Sequence, residues 1–395
     1  MAIEFAQRIR RIPAYPVASG YDLGADVAML ASNESCFAPL PSVVAAAQRA
    51  LGAANRYPDP SYARLRRALS DRYGIPPQRI ALGNGSCDIL LAAGEALLEP
   101  GAELVYAWPA FSVYPHLAAA SGARAIEVPL DADERHDLDA IAAEITVATR
   151  LVLICNPNNP TSTAHSLERI EDFLRRVPDH VCVILDEAYC EFALCLGDPY
   201  ASLELLRRYP NLVLLRTFAK VYGLAGLRIG YALCASEDFR TAVDQVRQPF
   251  YLNVAAQAAA VEALGHQDEV ERRVERTLAA RLILEEGLRG LGLSPAESEA
   301  NFVWVALPAV GRDGDPRAGR TVTAGARPAS GSATAAMASP EGELAAGEAA
   351  IVTGLRERGV LVRAGASLGR AGGLRVTVGA DAENARFVAA LGELL

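Results

Sequence analysis

The sequence predicts an α/β protein in which a three-layer large domain with a mostly parallel sheet is joined to a smaller α/β domain. Short apolar runs alternate with helical stretches along most of the chain, which is typical of this class. The runs are apolar on both faces, as in strands of a parallel sheet that helices cover on both sides. Of the 395 residues, 51% are hydrophobic, which is ample for cores in about two or three domains.

The first elements are two helices, at 41–51 and 62–73, each followed by a glycine, the usual residue after a helix. Short apolar runs then predict the strands of the large sheet: 79–82, 103–106, 125–128, 151–155, 181–185, 212–215 and 229–233. Residues 254–291 predict one or two long helices. A second α/β unit combines strands at 302–307, 360–363 and 374–378 with a helix at about 342–358.

These elements divide the chain into three parts: an N-terminal arm with part of the small domain (1–44), a large domain (45–255) and a C-terminal small domain (256–395). Residues from about 310 to 340 are dominated by Gly, Ala, Ser and Thr, so we expect a long mobile loop there. Ser339 and Pro340 would restart the chain as a helix, with a capping hydroxyl and proline at the first helical position.

Composition narrows the function classes. A net charge of −9 provides no general field for nucleic acid or an anionic membrane, so we predict neither as a partner. No run approaches ~18 apolar residues, and the first residues lack the apolar core of a secretion signal. Seven scattered cysteines without a C-x-x-C pair suggest reduced thiols and a cytoplasmic location. The five histidines show no ligand spacing with the cysteines, so we expect no metal site.

Lys220 is the only lysine in the chain, and it follows Phe218 and Ala219 at the end of a predicted strand. Apolar surroundings lower the pKa of an amine and favour Schiff-base chemistry. A surface lysine with a buried stem is the usual alternative. Because arginine serves at every other basic position, we interpret Lys220 as a site where a primary amine is required.

Polar residues follow two other predicted strands. The strand at 151–155 runs into Asn156-Pro157-Asn158-Asn159-Pro160-Thr161, for which a simple turn is the alternative. The strand at 181–185 delivers Asp186 and Glu187 to its carboxyl end, where ligands bind in doubly wound sheets. An acidic pair at the start of a helix is the other explanation. Tyr189 is close enough in sequence to face the same crevice.

A glycine-rich turn, LGNGSCDIL at 82–90, separates a strand from a helix. The backbone N–H groups of Gly85, Ser86 and Cys87 could cradle a phosphate at the helix N-terminus, with Arg228 nearby. The turn matches neither the dinucleotide fingerprint nor the nucleotide P-loop. An imine-forming lysine, a carboxylate, amide and phenol donors and an anion site are together the set that holds pyridoxal phosphate, and Phe111 could cover its ring.

At this point the chain resembles the fold-type-I pyridoxal-phosphate aminotransferases and, within them, the histidinol-phosphate aminotransferases. The matching segments, in order along nearly the whole chain, are Ser32-Asn33-Glu34, Arg56-Tyr57-Pro58-Asp59, GNGS, NPNNPT, DEAY, TFAKVYGLAGLRIG and LRVTVG. The ordered series is specific for the superfamily and less so for the substrate.

The resemblance implies a role for each matching residue. The cofactor residues are Lys220 for the imine, Asp186 for the pyridine nitrogen, Asn159 and Tyr189 for O3′, Phe111 for the ring, and Ser86, Cys87, Thr217 and Arg228 for the phosphate. It also implies a homodimer with shared sites, in which Tyr57 reaches the partner's cofactor phosphate. Arg375 corresponds to the α-carboxylate arginine, Arg363 to the arginine for the substrate phosphate, and Tyr15 to a residue that closes over the substrate.

The sequence departs from the family pattern at a few positions. Ala219 stands where serine usually precedes the lysine, which removes one phosphate-binding hydroxyl and predicts weaker cofactor retention. Ser162 replaces a glycine, so the turn there must avoid a positive φ or place a serine in the left-handed region. Ser35-Cys36 stands where Asn-Pro is common.

The expected reaction interconverts L-histidinol phosphate plus 2-oxoglutarate with imidazole acetol phosphate plus L-glutamate, in histidine biosynthesis. An aromatic amino-acid aminotransferase or a threonine-phosphate decarboxylase on the same scaffold shares the cofactor residues and stays an alternative. A non-enzymatic, cofactor-sensing regulator is a further alternative, but it needs a DNA-binding module that the roughly thirty residues before Ser32 do not resemble.

Overall fold

A computed structural model describes residues 3–12, 26–308 and 340–395. Most of the predicted mobile loop lies outside the described residues, as do Tyr15 and Ser339. The strands are β1 (Ala28–Met29), β2 (Ile80–Gly83), β3 (Glu103–Trp108), β4 (Arg124–Pro129), β5 (Thr149–Cys155), β6 (Cys182–Asp186), β7 (Leu212–Thr217), β8 (Gly230–Cys234), β9 (Phe302–Ala306), β10 (Val360–Leu361), β11 (Arg363–Ala364) and β12 (Gly373–Thr377).

The α-helices of the described residues complete the architecture. They are α1 (Pro41–Leu51), α2 (Ala63–Tyr73), α3 (Ser86–Leu97), α4 (Tyr114–Ser121), α5 (Leu138–Ala143), α6 (Leu167–Leu174), α7 (Leu205–Arg208), α8 (Glu237–Gln245), α9 (Val254–Leu264), α10 (Gln267–Gly290), α11 (Pro340–Glu357) and α12 (Asp381–Gly392). Several begin at a capping side chain, since Ser166, Ser236 and Asn253 each accept a backbone N–H from the first turn.

Seven strands form the central sheet in the order β2-β8-β7-β6-β5-β3-β4. Strand β8 is antiparallel to β2 and β7, and the other pairs are parallel. The carboxyl ends of β5, β6 and β7 therefore meet at one edge, where the chain enters the NPNNPT turn, Asp186 and the Lys220 turn. This arrangement confirms the predicted α/β class and mostly parallel sheet.

Helices cover both faces of this sheet, as predicted for a three-layer domain. One buried apolar cluster joins α3, α4 and α8 to one face, and another joins α2, α5, α6 and α9 to the other. The strands lie within two residues of the predicted ends. Strand β4 is the exception to the predicted burial: it lies at one edge of the sheet, and only Val128 among its residues is buried. Its edge position alone does not explain the difference, because β2 at the opposite edge is buried at all four residues, whereas β4 carries the charged Arg124 and Glu127.

The smaller unit combines α10, α11 and α12 with a three-stranded antiparallel sheet, β11-β12-β9, around its own apolar cluster. The single strand predicted at 360–363 is two short strands, because β10 pairs with β1 and β11 pairs with β12. Residues 254–291 form two helices, α9 and α10. The predicted domain boundaries after residues 44 and 255 stay predictions.

No helix among the described residues combines the length and apolar character needed to cross a membrane.

Candidate active site

Lys220 lies in the turn after β7, at the carboxyl edge of the sheet. Its Nζ donates to the backbone oxygen of Asn33 at 2.9 Å and of Ser32 at 3.4 Å. Burial, followed by the charge of Arg375, lowers the pKa of Lys220 from 10.5 to about 7. A large fraction of the amine is therefore neutral near pH 7, which is the form that attacks a carbonyl carbon.

Asp186 ends β6 and is only 4% exposed. The Tyr114 hydroxyl donates to its Oδ2 at 3.0 Å, and the Ala188 backbone N–H donates to Oδ1 at 3.2 Å. Burial raises the pKa of Asp186 from 3.8 to about 6. The carboxylate is still mostly ionised at neutral pH, but it lacks a strong cationic partner, so it favours a positive charge placed beside it.

Asn159 belongs to the turn that follows β5, and this turn is held by buried polar contacts. Asn158 donates to the backbone oxygen of Pro109 at 3.2 Å, and its Oδ1 lies 3.0 Å from His136 Nε2. Ser162, where the sequence left two possibilities open, is a left-handed serine with φ of 61°. The turn brings Asn159 against Arg375, whose Nη1 donates to Asn159 Oδ1 at 2.6 Å.

The glycine-rich turn lies at the start of α3, next to Arg228. Gly85 has φ of 80° and directly precedes α3, and a Cβ at this position would lie 2.5 Å from Arg228 Nη2. A Cβ on Gly230 would overlap the backbone nitrogen of Ser86, so both glycines permit close approach. Thr217 pairs with Gly230 in the sheet. The structure thus brings Gly85, Ser86, Thr217 and Arg228 together.

Cys87 and Phe111 flank this region. Burial raises the pKa of the Cys87 thiol to about 11, so the cradle gains no thiolate charge and its contribution would come from the backbone N–H. Phe111 packs edge-on against Tyr114, with ring centroids 5.9 Å apart, and Tyr114 in turn binds Asp186. The Tyr114 ring therefore lies between Phe111 and the Asp186 carboxylate.

Arg363 and Arg375 are directly opposite each other on β11 and β12. Both are buried, with 7% and 6% exposure. Directly opposed residues of an antiparallel pair point to the same face, so the two guanidinium groups share one side of the small sheet. Besides Asn159, Arg375 binds the backbone oxygen of Ala31 at 2.5 Å.

Asn33 joins these groups, although the sequence predicts no role for it. Its backbone oxygen accepts from Lys220, and its Nδ2 donates to the Tyr189 hydroxyl at 3.1 Å. The Lys220 Nζ lies 5.4 Å from the centre of the Tyr189 ring. Asn33 has φ of 53° and is 1% exposed. Its place in the Ser32-Asn33-Glu34 segment was the available signal, whereas nothing in the local sequence marked Tyr114.

Tyr57, which the resemblance assigns to the partner's site, does not join the cluster of its own chain. Tyr57 is 81% exposed and stacks on Phe250, with ring centroids 4.6 Å apart. Tyr15 lies outside the described residues. Asn301, by contrast, was not predicted and contacts the cluster through the Asn33 backbone oxygen at 3.3 Å.

A buried carboxylate, a partly neutral amine and a glycine-rich turn beside Arg228 at one sheet edge are typical of a pyridoxal-phosphate-dependent transferase. The chain belongs to the aminotransferase class I and II family, whose model matches residues 25–391. It is a pyridoxal-phosphate-dependent aminotransferase, as the sequence predicted, and its cofactor is pyridoxal 5′-phosphate.

Characterised relatives include two kinds of aminotransferase. The aromatic amino acid aminotransferase of Thermobifida fusca is 47% identical over 285 residues, covering 71% of this chain and 77% of that protein. Histidinol-phosphate aminotransferase 1 of Cupriavidus pinatubonensis is 43% identical over 367 residues, covering 93% of this chain and 88% of that protein. The crystal structure of histidinol-phosphate aminotransferase from Sinorhizobium meliloti in complex with pyridoxal-5′-phosphate has a TM-score of 0.77 and 30% identity, over 93% of this chain and 90% of that one.

The residues present fit the cofactor. Lys220, which carries the only side-chain amine of the chain, lies in this cluster and has a lowered pKa. The carboxylate of Asp186 is available for a protonated ring nitrogen, and the lack of a side chain at Gly85 lets Arg228 lie against the turn.

Proposed function

We propose that the chain transfers the amino group of L-glutamate to imidazole acetol phosphate, giving L-histidinol phosphate and 2-oxoglutarate. The observation that carries this proposal is the buried pair of Arg363 and Arg375 on one face of the small sheet. The reaction needs one site to accept a dicarboxylate and a phosphate ester in turn, and two guanidinium groups suit both. The Cupriavidus and Sinorhizobium relatives, whose names state this activity, support it.

We assign Lys220 as the residue that bonds to the cofactor and moves the proton. Bound pyridoxal phosphate supplies an electron sink for negative charge at the substrate Cα. With a pKa near 7, the Lys220 Nζ can take a proton from that Cα and release it again. Asp186 would favour a proton on the ring nitrogen of the bound cofactor, because a buried carboxylate favours a positive neighbour.

The remaining cofactor contacts follow from the same geometry. The Asn159 amide oxygen is occupied by Arg375, so its Nδ2 is the group that would donate to O3′, together with the Tyr189 hydroxyl. Phe111 would cover one ring face. The phosphate would be bound by Gly85, Ser86, Cys87, Thr217 and Arg228.

Arg375 is the candidate for the α-carboxylate, since it is anchored to Asn159 beside the cofactor contacts. Arg363 is the candidate for the substrate phosphate and for the side-chain carboxylate of glutamate. An aromatic amino-acid aminotransferase is a second candidate function, favoured by the Thermobifida relative at 47% identity. That reaction also uses the α-carboxylate arginine but has no phosphate for Arg363.

Single-turnover absorbance distinguishes the two functions. The protein is loaded with pyridoxal phosphate, and L-histidinol phosphate, L-glutamate and L-phenylalanine are added separately. Loss of the band of Lys220-bound cofactor with the first two substrates, and its return with 2-oxoglutarate, supports the proposal. Rapid loss with phenylalanine and none with histidinol phosphate would transfer the assignment to the aromatic enzyme. Lys220→Ala is the inactive control.

Two arginine variants test the anion assignment. Arg363→Gln should raise the KM for histidinol phosphate by about tenfold or more, because a charge-assisted bond is lost. Arg375→Gln should raise the KM for every amino donor that carries an α-carboxylate. Arg358→Gln is the matched control, since Arg358 pairs with Glu393 at the surface of the same unit.

We also propose a cytoplasmic homodimer with shared sites. An aromatic residue as exposed as Tyr57, stacked on Phe250, is typical of a surface that a second copy covers. Co-expression of Tyr57→Ala and Lys220→Ala chains tests the sharing, because only a heterodimer with exchanged residues regains a complete site. Sedimentation and cell fractionation check the assembly and the location, which seven unpaired cysteines support.

A further inference from the structure

Glu348 is a buried carboxylate in the middle of α11, with 2% exposure. Its Oε1 accepts the backbone N–H of Ala366 at 2.9 Å. Its Oε2 accepts the backbone N–H groups of Gly372 and Gly373 at 2.7 and 3.1 Å. A buried carboxylate costs stability unless it is bonded in this way, so three N–H donors on one group mark a specific arrangement.

The three donors lie at the two ends of one loop, residues 365–372, which connects β11 to β12. The loop also closes on itself, since the Gly365 N–H donates to the Gly373 backbone oxygen at 2.8 Å. Arg363 is two residues before the loop, and Arg375 is three residues after it. The carboxylate therefore ties together the ends of the hairpin that carries both arginines.

Close packing fixes the same hairpin from the other side. A Cβ on Gly365 or Gly373 would lie 2.6 or 2.5 Å from the indole ring of Trp304, so the two glycines let the indole pack against the hairpin. Trp304 is itself opposite Arg375 on β9. A small displacement of the loop ends would therefore also displace the two guanidinium groups, because the close-packed backbone between them leaves no room to absorb it.

The tip of the loop reaches the large sheet unit. A Cβ on Gly369 would lie 2.6 Å from the ring of Trp108, the last residue of β3. Arg370 forms an ion pair with Glu134, in the segment between β4 and α5. The loop held by Glu348 thus contacts the large sheet unit at Trp108 and Glu134.

We propose that Glu348 is a positioning residue for substrate anions: it holds the 365–372 loop so that Arg363 and Arg375 keep the spacing that both substrates require. It touches no substrate and acts through the two arginines, and the inference rests on the proposed function of those arginines. No other carboxylate in the described residues accepts backbone N–H groups from both ends of this loop.

Glu348→Gln tests this role. The amide keeps one acceptor oxygen and replaces the other with a donor that faces the N–H groups of Gly372 and Gly373, so the loop ends should separate. We expect the KM for L-glutamate and for L-histidinol phosphate to rise about tenfold each, with kcat within twofold of the parent. The dissociation constant of pyridoxal phosphate, measured by absorbance titration without substrate, should not change.

Glu343→Gln is the matched control, because Glu343 lies on the same helix and is exposed. It should leave both KM values unchanged. If Glu348→Gln does not fold, Glu348→Asp keeps the charge on a shorter side chain and should raise both KM values about threefold. An unchanged KM in a folded Glu348 variant, or a loss of cofactor affinity that matches the loss of activity, overturns the proposal.

The arginine variants separate this inference from the proposed function. If Arg363→Gln and Arg375→Gln raise the KM values but Glu348→Gln does not, only the role of Glu348 is wrong. If neither arginine variant affects any KM, the anion assignment itself is wrong.

Discussion

Replacing Lys220 with methionine should stabilise the cofactor-free protein, although it removes the amine on which transamination depends. The unfolded lysine keeps its proton up to about pH 10.5, whereas the folded one releases it near pH 7. Between these values the unfolded state binds more protons, so this group destabilises the fold most below pH 7, and its effect fades as the pH rises towards 10.5. Methionine has a similar length and no charge.

The structure sets the size of the effect. A fall of the pKa from 10.5 to about 7 corresponds to roughly 5 kcal/mol at about 1.4 kcal/mol per unit. Lys220 is half-buried, so solvent screens part of this destabilising free energy. Methionine also loses the bond to the Asn33 backbone oxygen, which costs about 1 kcal/mol, although Asn301 still donates to that oxygen. We expect a net gain of about 2 kcal/mol at pH 6.

Urea denaturation of cofactor-free protein at pH 6 and pH 9 measures this gain. The advantage of Lys220→Met should be clear at pH 6 and smaller at pH 9. Lys220→Arg is the control, because it keeps a charge in the same surroundings and should not stabilise. A methionine variant that is no more stable than the parent at pH 6, or equally favoured at both pH values, would refute the reasoning.

Three further predictions concern residues near the site. Ala219→Ser should tighten pyridoxal phosphate binding about tenfold by restoring a hydroxyl beside the phosphate, and an unchanged dissociation constant in an absorbance titration would count against this. Ser162→Gly should raise the free energy of unfolding by about 0.5–1 kcal/mol, because a glycine adopts φ of 61° without strain; a lower urea midpoint would contradict it. Glu187→Gln breaks a buried ion pair with Arg216 and should lower the free energy of unfolding by about 3 kcal/mol or more. Glu204→Gln breaks an exposed pair with Arg207 and should lower it by less than about 1 kcal/mol, as measured by the same urea denaturation.

Apolar runs predicted the central strands well because those strands are buried on both faces, so their composition alone marks them. Strand β4 shows the limit, since the run predicted as a buried strand at 125–128 includes Glu127 and is mostly exposed in the fold. The stretch at 360–363 was predicted as one strand and is two, because pairing partners far away in the chain decide where a strand ends.

Some residues of the candidate site could likewise be predicted from the sequence, and others could not. Lys220, Asp186 and Asn159 could be found because each follows a strand whose carboxyl end is predictable. Asn33 and Tyr114 join the site through contacts across 187 and 72 positions of the chain. The Ser32-Asn33-Glu34 motif is a signal for Asn33, but no local pattern marks Tyr114. Arg363 and Arg375 face each other because of the register in which β11 pairs with β12. That register is visible only in the folded sheet.

The lone lysine has a practical consequence for handling the protein. The other basic side chains are arginines and histidines, so a reagent that acylates side-chain amines has one target. The lowered pKa of Lys220 makes that target nucleophilic near neutral pH. Acylation at Lys220, counted by peptide mass spectrometry, therefore reports the fraction of chains whose amine is not engaged by cofactor. Attachment to an amine-reactive surface or dye through this side chain would consume the same group, so labels and tethers belong on a cysteine such as the exposed Cys195.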